Sequence, residues 1–333
     1  MGPRKTPRGN RRRLQIVLTS VLHLLDMEPI KRFFIILSVL VFGAALFLLN
    51  RTSQEFVPQD KLNVAASFYP LAHIVAEVGG QHVSVKNILP PGAEPHDFEP
   101  SPQQFVDLGK SDLFIFNGGH FEPWISTWEK GVSTKSGRVL NMVDELARRQ
   151  NGLIERGGEV DPHVWLDPVM FRQEVEIIRD VLIEIDPKNT PAYQANANQF
   201  IDSINELDQR FREGLRECVK HEAIVSHDAF GYLARRYDFS IIPIAGISPD
   251  EEPSPRDIAR IADIAREKGL EYIFFETTVN PRLSETIARE VGATTLVLNP
   301  LESLTADEVQ SGEHYHVIME KNLNNLRKAL VCQ

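Results

Sequence analysis

The stretch "TPAYQANANQFIDSINELDQRFREGLREC", Thr190 to Cys218, decides how the rest of the chain is organised. Thr190 suits a helix cap, and Pro191 suits the first helical position, where a missing N–H costs nothing. The apolar residues Tyr193, Ala197, Phe200, Ile204, Leu207, Phe211, Leu215 and Cys218 recur at spacings of three and four, which places them on one face of a helix. Twenty-nine residues at 1.5 Å each predict an element roughly 44 Å long. A strut of that length, set between two groups of shorter elements, joins two lobes and resists wide hinge opening.

Before the strut, "NVAASF" (63–68), "VSVKNIL" (83–89) and "LFIFNG" (113–118) read as buried strands, separated by helices over "PLAHIVAEVGG" and "SPQQFVDLGKS". After it the alternation resumes with "EAIVSH" (222–227), "SIIPIAG", "YIFFET" and "TTLVLN". The helix from 255 is announced by Ser254 as cap, Pro255 at the first position and Asp257 in the first turn. Alternating strand and helix predicts parallel sheets covered by helices. The expected fold is α/β, with two lobes, each a parallel sheet flanked by helices, joined by one long helix and preceded by an N-terminal membrane segment. The expected limits are a basic cytoplasmic segment (1–32), a signal or anchor (33–49), a tether (50–61), a first lobe (62–186), the linking helix (187–220) and a second lobe (221–333).

At 333 residues, with 42% hydrophobic and 25% charged residues, the chain is long enough for two cores, and its composition excludes a disordered or fibrous protein. Its net charge of −10 divides unevenly: residues 1–51 carry nine Lys/Arg against Asp26 and Glu28, a net of +7, which leaves −17 on the remainder. A body that acidic repels nucleic acid phosphates and attracts cations. The basic head leads into "FFIILSVLVFGAALFLL", Phe33 to Leu49, 17 residues without a charge between Lys31-Arg32 and Arg51. That length lies at the short end of a membrane span and above the core of a cleaved signal. The basic excess orients residues 1–32 inward, so the body is expected on the extracytoplasmic face, either anchored through 33–49 or exported.

Cys218 and Cys332 are the only cysteines, and neither lies in a CxxC pair. Outside the cytoplasm they can bond to each other; a buried Cys218 with a free Cys332 is the other arrangement. No cysteine follows the apolar run, which excludes lipid attachment there.

Three histidines stand in unusual company. "PPGAEPHDFEPSP", Pro90 to Pro102, sets His96 among five prolines and the carboxylates Glu94, Asp97 and Glu99. Proline restricts its own φ and the residue before it, so this loop has few conformations to lose. A lone His in such a loop reads as a surface turn, and partners elsewhere decide the matter. His163 lies in "DPHVWLDP", and His227 ends "EAIVSHD" at the carboxyl end of a strand, where open α/β sheets bind ligands. Asp97, Asp161, Asp167 and Asp228 lie close in sequence, as candidate acceptors for the ring N–H groups.

Together "FYPLAHIVAEVGG", "LPPGAEPHDFEPSP", "NGGHFEPWI", "DPHVWLDP", "VSHDAFGYLARRY", "GISPDEEPSPRDI" and "LVLNPLESLT" resemble the substrate-binding receptors of bacterial ABC importers for zinc and manganese. The resemblance runs in one order from about Asn63 to Leu330. It implies metal ligation by His96, His163 and His227, with a carboxylate from the last strand-to-helix loop as the fourth ligand. "LNPLESLT" matches that loop at Glu302, while some members use an Asp where Asn299 falls here. On this reading Glu94, Asp97 and Glu99 orient His96, cap the next helix or lend negative potential. His120 in "NGGHFEPW" lines the cleft wall, and His314 and His316 start the last helix facing solvent. The chain departs from zinc receptors that carry a long His-rich loop before "DPHVW", because "ARRQNGLIERGGEV" is short and has no His.

The resemblance implies capture of a divalent metal and delivery to a membrane permease with a separate ATPase, by a monomer that is not an enzyme. No GxxxxGK[ST] occurs, so ATP hydrolysis belongs to a partner. Three imidazoles and a carboxylate suit Zn2+ better than Mn2+, which favours oxygen-rich sites. A zinc hydrolase is the competing class, but catalytic zinc keeps an open position and no HExxH is present. A surface adhesin or metal-storage protein is the other alternative.

Overall fold

The computed structural model describes residues 30–31, 61–131, 137–149, 152–156, 158–249, 251, 253–278 and 280–333. Two four-stranded sheets form the frame. The first contains β1 (Leu62–Ala66), β2 (Val83–Asn87), β3 (Leu113–Phe116) and β4 (Arg138–Asn141), in the order β2-β1-β3-β4. A small antiparallel ribbon of β5 (Glu155–Arg156) and β6 (Glu159–Val160) follows. The second sheet contains β7 (Glu222–Val225), β8 (Ser240–Pro243), β9 (Tyr272–Phe275) and β10 (Thr294–Val297), in the order β10-β9-β7-β8.

Every pairing within the two sheets is parallel. Parallel neighbours need crossovers, and the amphipathic helices of the sequence supply them. In each sheet the chain starts at an inner strand, moves to one side and then crosses to the other. The strand order therefore reverses between β1 and β3 and again between β7 and β9, and the crevice outside such a reversal is where open α/β sheets hold ligands.

The helix Thr190–Gly214 buries Tyr193, Ala197, Phe200, Ile204, Leu207 and Phe211, the predicted face. It packs beside the helix Pro168–Ile185 within one continuous apolar core that runs from Val64 on β1 to Leu330 near the chain's end. Two smaller clusters lie apart from it, around Trp124 and Trp128 in the first half and around Ile261 and Ile287 in the second. Phe68, Phe121 and Trp165 meet at the centre of the main core, with ring centroids 4.7–5.0 Å apart.

The strut is shorter than its periodicity predicts: it has 25 residues and hands over at Leu215, so Cys218 lies beyond it. Its start differs as well. Asn189 precedes the first helical residue, and the Thr190 hydroxyl donates to the Pro187 carbonyl instead of capping. The early end has a tertiary cause. Cys218 is bonded to Cys332, and the Val219 and Lys220 amides donate to Val331 and Leu330 carbonyls, which draws this segment out of the helix and against the last residues.

Ser254 caps the helix Pro255–Lys268 as predicted. β4 and the ribbon were not legible in the sequence. β4 is an edge strand with one buried residue, Leu140, between the polar ends Arg138 and Asn141, so no apolar run marks it, and each ribbon strand has two residues. Among the described residues no helix is long and apolar enough to cross a membrane; the expected anchor 33–49 lies outside them, as does the expected tether 50–61 apart from Lys61.

The Cys218–Cys332 bond closes a loop with a sequence separation of 114, which restricts the unfolded chain strongly. Replacing Cys332 by Ser is expected to lower folding stability by about 2–4 kcal/mol. Urea unfolding of the oxidised protein and of the variant checks this; equal midpoints would show that the bond adds nothing.

Candidate metal centre

His96, His163, His227 and Glu302 come together from four distant segments, each offering a donor atom within 4.8 Å of the others. His96 follows β2 through the proline-rich loop, and His163 lies in the crossover after the ribbon. His227 stands just past β7, and Glu302 lies in the loop after β10. His163 and His227 are wholly buried and Glu302 is 1% exposed. The Nε2 atoms of His163 and His227 each stand 3.2 Å from Glu302 Oε1, and that of His96 stands 3.8 Å away. None of these Nε2 atoms and neither Glu302 oxygen has a directed hydrogen-bond partner. Five buried polar atoms thus face one another unsatisfied, an arrangement that is costly unless a cation fills it. A tetrahedral zinc with ligand bonds of 2.0–2.2 Å sets its donors about 3.4 Å apart, so two of the three distances already fit and His96 has a small approach to make.

Backbone register explains one of the supports. Ile224 on β7 pairs with Ile273 on β9, and three residues further along each strand come His227 and Glu276. His227 Nδ1 accordingly meets Glu276 Oε1 at 2.5 Å, and Ser226 donates to the same oxygen. The sequence reading missed Glu276, because 49 residues separate it from His227; the available signal was its place directly after a strand. Asp161 holds His163 from both sides, accepting its backbone N–H at 3.1 Å and meeting ring Nδ1 at 2.8 Å. In each case the inner carboxylate leaves Nε2 free to face the centre.

The other nearby acids do different work. Asp167 caps the helix Pro168–Ile185 and pairs with Arg236. Asp228 pairs with Arg156, which also reaches Asp161 and so ties the His227 loop to the His163 loop. Asp97 and Glu99 are exposed, and the next helix is capped by Ser101 with Gln104. Glu94 accepts the His96 backbone N–H at 3.2 Å, and burial beside Glu302 pushes its carboxyl up to about 9. The His96 ring rests edge-on against Phe121, 4.8 Å between centroids.

Charge coupling within the set is strong. Burial opposes the charged form of His163, but the Asp161 and Glu302 carboxylates outweigh it and raise the imidazole above its ordinary value. Burial acts the same way on His227, and Glu276 with Glu302 raises it well above. Burial lowers His96. Burial alone would raise Glu302, yet the surrounding imidazoles hold it well below the usual carboxylate range.

Asn299 plays a different part from Glu302. Its Oδ1 accepts the Leu301 N–H at 2.8 Å, and its Nδ2 donates to Thr277 and Glu308, so no side-chain donor points at the cluster. Leu301 has φ +60°, a conformation unfavourable for a branched side chain, and the Asn299 oxygen holds the turn that delivers Glu302. Trp165 donates its indole N–H to the Pro300 carbonyl at 2.7 Å, which fastens this turn to the His163 segment. His120 lies outside the set; its side chain is exposed and sits 3.6 Å from Glu159. His314 is exposed as predicted, but His316 is half-buried because its ring packs against Phe200.

The family described as zinc-uptake complex component A, periplasmic (ZnuA), matches residues 64–329. The chain is 34% identical over 289 residues to the high-affinity zinc uptake system protein ZnuA of Bacillus subtilis, covering 82% of this chain and 89% of that one. It is 33% identical over 294 residues to the zinc-binding lipoprotein AdcA of Streptococcus pneumoniae, covering 85% of this chain but only 58% of AdcA's length. Its fold superposes on the crystal structure of the Zn(II)-bound ZnuA-like domain of that species' AdcA with a TM-score of 0.72, at 34% identity, over 81% of this chain and 99% of that one. With the match extending from β1 to the last helix and taking in both sheets and the buried histidine cluster, the chain belongs to the ZnuA family of zinc-uptake receptors.

Proposed function

We propose that this protein captures Zn2+ outside the cytoplasm between its two sheets and delivers it to an ABC-type permease powered by a separate ATPase. In this reading His96, His163 and His227 bind zinc through Nε2 and Glu302 through its carboxylate. The observation that carries it is the convergence of these four buried donors, unpartnered among themselves, with carboxylates behind two of the rings. Four protein donors complete a tetrahedron and leave no position for a reacting water, which favours a carrier over a hydrolase. The donor set favours Zn2+ over Mn2+.

The division into lobes at 62–186 and 221–333, with 187–220 between them, belongs to the same proposal, as does action as a monomer. So does attachment to the membrane through 33–49, with 1–32 in the cytoplasm. The Cys218–Cys332 bond supports an oxidising location for the body.

Glu302 brings the only negative charge among the donors, so Glu302→Gln is expected to weaken zinc binding by at least about tenfold, roughly 1.4 kcal/mol. Asn299→Ala is expected to disturb affinity less and to lower folding stability by about 1–3 kcal/mol, because it leaves the Leu301 amide and the Thr277 and Glu308 oxygens without their partner. Chelator-competition titration together with urea unfolding separates the two effects. An Asn299 variant more damaging to affinity than the Glu302 variant would redraw the ligand set.

Zinc must displace any proton on the ligand imidazoles. His163 and His227 are both raised, so their protons compete from above the ordinary imidazole value of about 6.5. Affinity is therefore expected to be highest at alkaline pH, to begin falling before pH 6.5 is reached, and to keep falling below it. Isothermal titrations in buffers of differing ionisation enthalpy measure the released protons, and an affinity flat from pH 7.5 to 5.5 would remove these histidines from the site.

A further inference from the structure

Arg156, on β5, reaches both of the segments that carry the wholly buried histidines. Its Nε stands 3.3 Å from Asp161 Oδ2, and its Nη1 stands 2.8 Å from Asp228 Oδ2. Asp161 turns its other oxygen to the His163 ring, and Asp228 follows His227 directly. Both carboxylates are shielded from water, with Asp161 at 0% side-chain exposure and Asp228 at 13%, while Arg156 is 36% exposed. Ion pairs so placed are screened far less than pairs on an open surface, so losing them has a larger effect.

The surroundings are shaped to receive this guanidinium. The Asp161 N–H donates to the Ile154 carbonyl at 2.8 Å, which closes the base of the ribbon. Tyr232 pins that base from the far side: its hydroxyl accepts the Ile154 N–H at 3.0 Å and donates to the Asp161 carbonyl at 2.8 Å. Gly231 opens the helix Gly231–Arg236, and its φ is not left-handed, so the backbone there has no need of glycine. The space has: a β-carbon at Gly231 would stand 2.7 Å from Arg156 Nη2 and 3.1 Å from Asp161 Oδ2. The missing side chain leaves the room in which Arg156 lies between the two carboxylates.

We propose that Arg156 is a positioning residue that latches the His163 segment to the His227 segment and so sets how slowly a bound zinc ion leaves. The inference rests on the zinc-carrier reading above. Arg156 acts through Asp161 and Asp228, and its charge and its geometry pull in opposite directions. A guanidinium near the cluster repels a dication, so by charge alone a neutral residue at this position would hold the ion longer. The latch works the other way: without it the two ligand-bearing segments separate more readily, and departure of the ion accelerates.

Stopped-flow release of zinc from the loaded full chain into excess chelator at pH 7.5 tests this. Arg156→Met is expected to accelerate release about tenfold. Gly231→Ala is expected to do nearly the same by pushing the flexible end of Arg156 aside, although alanine at a right-handed position ordinarily stabilises a fold. The double variant is expected to release no faster than Arg156→Met, because both changes break one latch. Thermal melts of the metal-free variants separate this from general loosening, and where Arg156→Met melts early, Gly231→Ala decides alone. Release that is unchanged or slowed in the deciding variant, or a double variant whose acceleration is the product of the two single ones, would overturn the proposal. A wild-type chain that takes up no zinc would overturn the carrier reading with it, whereas one equivalent bound by Arg156→Met and released at the wild-type rate removes the latch alone.

Discussion

A carboxylate buried to 1% exposure with no directed hydrogen bond of its own is the constraint around which this fold is arranged. Glu302 keeps its charge only because imidazoles surround it, and those imidazoles hold their places only because Asp161 and Glu276 stand behind two of them. Removing one partner from such a set leaves another charge uncompensated, so its parts cannot be altered singly without consequence. The backbone reflects the same demand. Leu301 accepts a left-handed conformation, and Asn322 grips Asn299 through both its backbone N–H and its carbonyl, to present one side chain at one point.

The two sheets are linked by more than the long helix. The Gly92 N–H, at the base of the proline-rich loop, donates to the Leu304 carbonyl at 2.9 Å and to the Ser303 hydroxyl at 3.0 Å, directly after Glu302. The loop that carries His96 is thereby fastened to the loop that carries Glu302. Behind His163, the Asn117 side chain donates to the Pro162 carbonyl, and the buried Glu122 accepts the Ser67 hydroxyl and the Asn117 and Gly118 amides. Burial pushes Glu122 up to about 7. These bonds and the continuous apolar core make the cleft a packed seam.

Much of this was legible in the sequence because it is local. Strands of continuous apolar residues, the strut's period of three and four, and the short motifs around His96, His163 and His227 all declare themselves within a dozen residues. What escaped depends on residues far apart in the chain. Glu276 becomes a partner of His227 only through the register of β7 against β9, and the strut stops early because the last residues of the chain pair with Glu217 and Val219. His316 looks like a surface residue until Phe200, more than a hundred positions earlier, is brought beneath it. The acids nearest the histidines in sequence were weak guides, since only Asp161 supports a ring, and Asp167 and Asp228 pair with arginines instead.

The four donors sit on segments that an unfolded chain would scatter, so the unfolded protein has no such site. Any ion held there stabilises the native state by mass action, by about 2.7 kcal/mol at a free concentration one hundred times the dissociation constant. A loaded molecule therefore opens less often than an empty one, and proteolysis of transiently opened chains falls more heavily on the empty form. Scarcity of the cargo would shorten the receptor's own lifetime, and the amount of receptor standing outside the cell would carry a record of how recently it was filled.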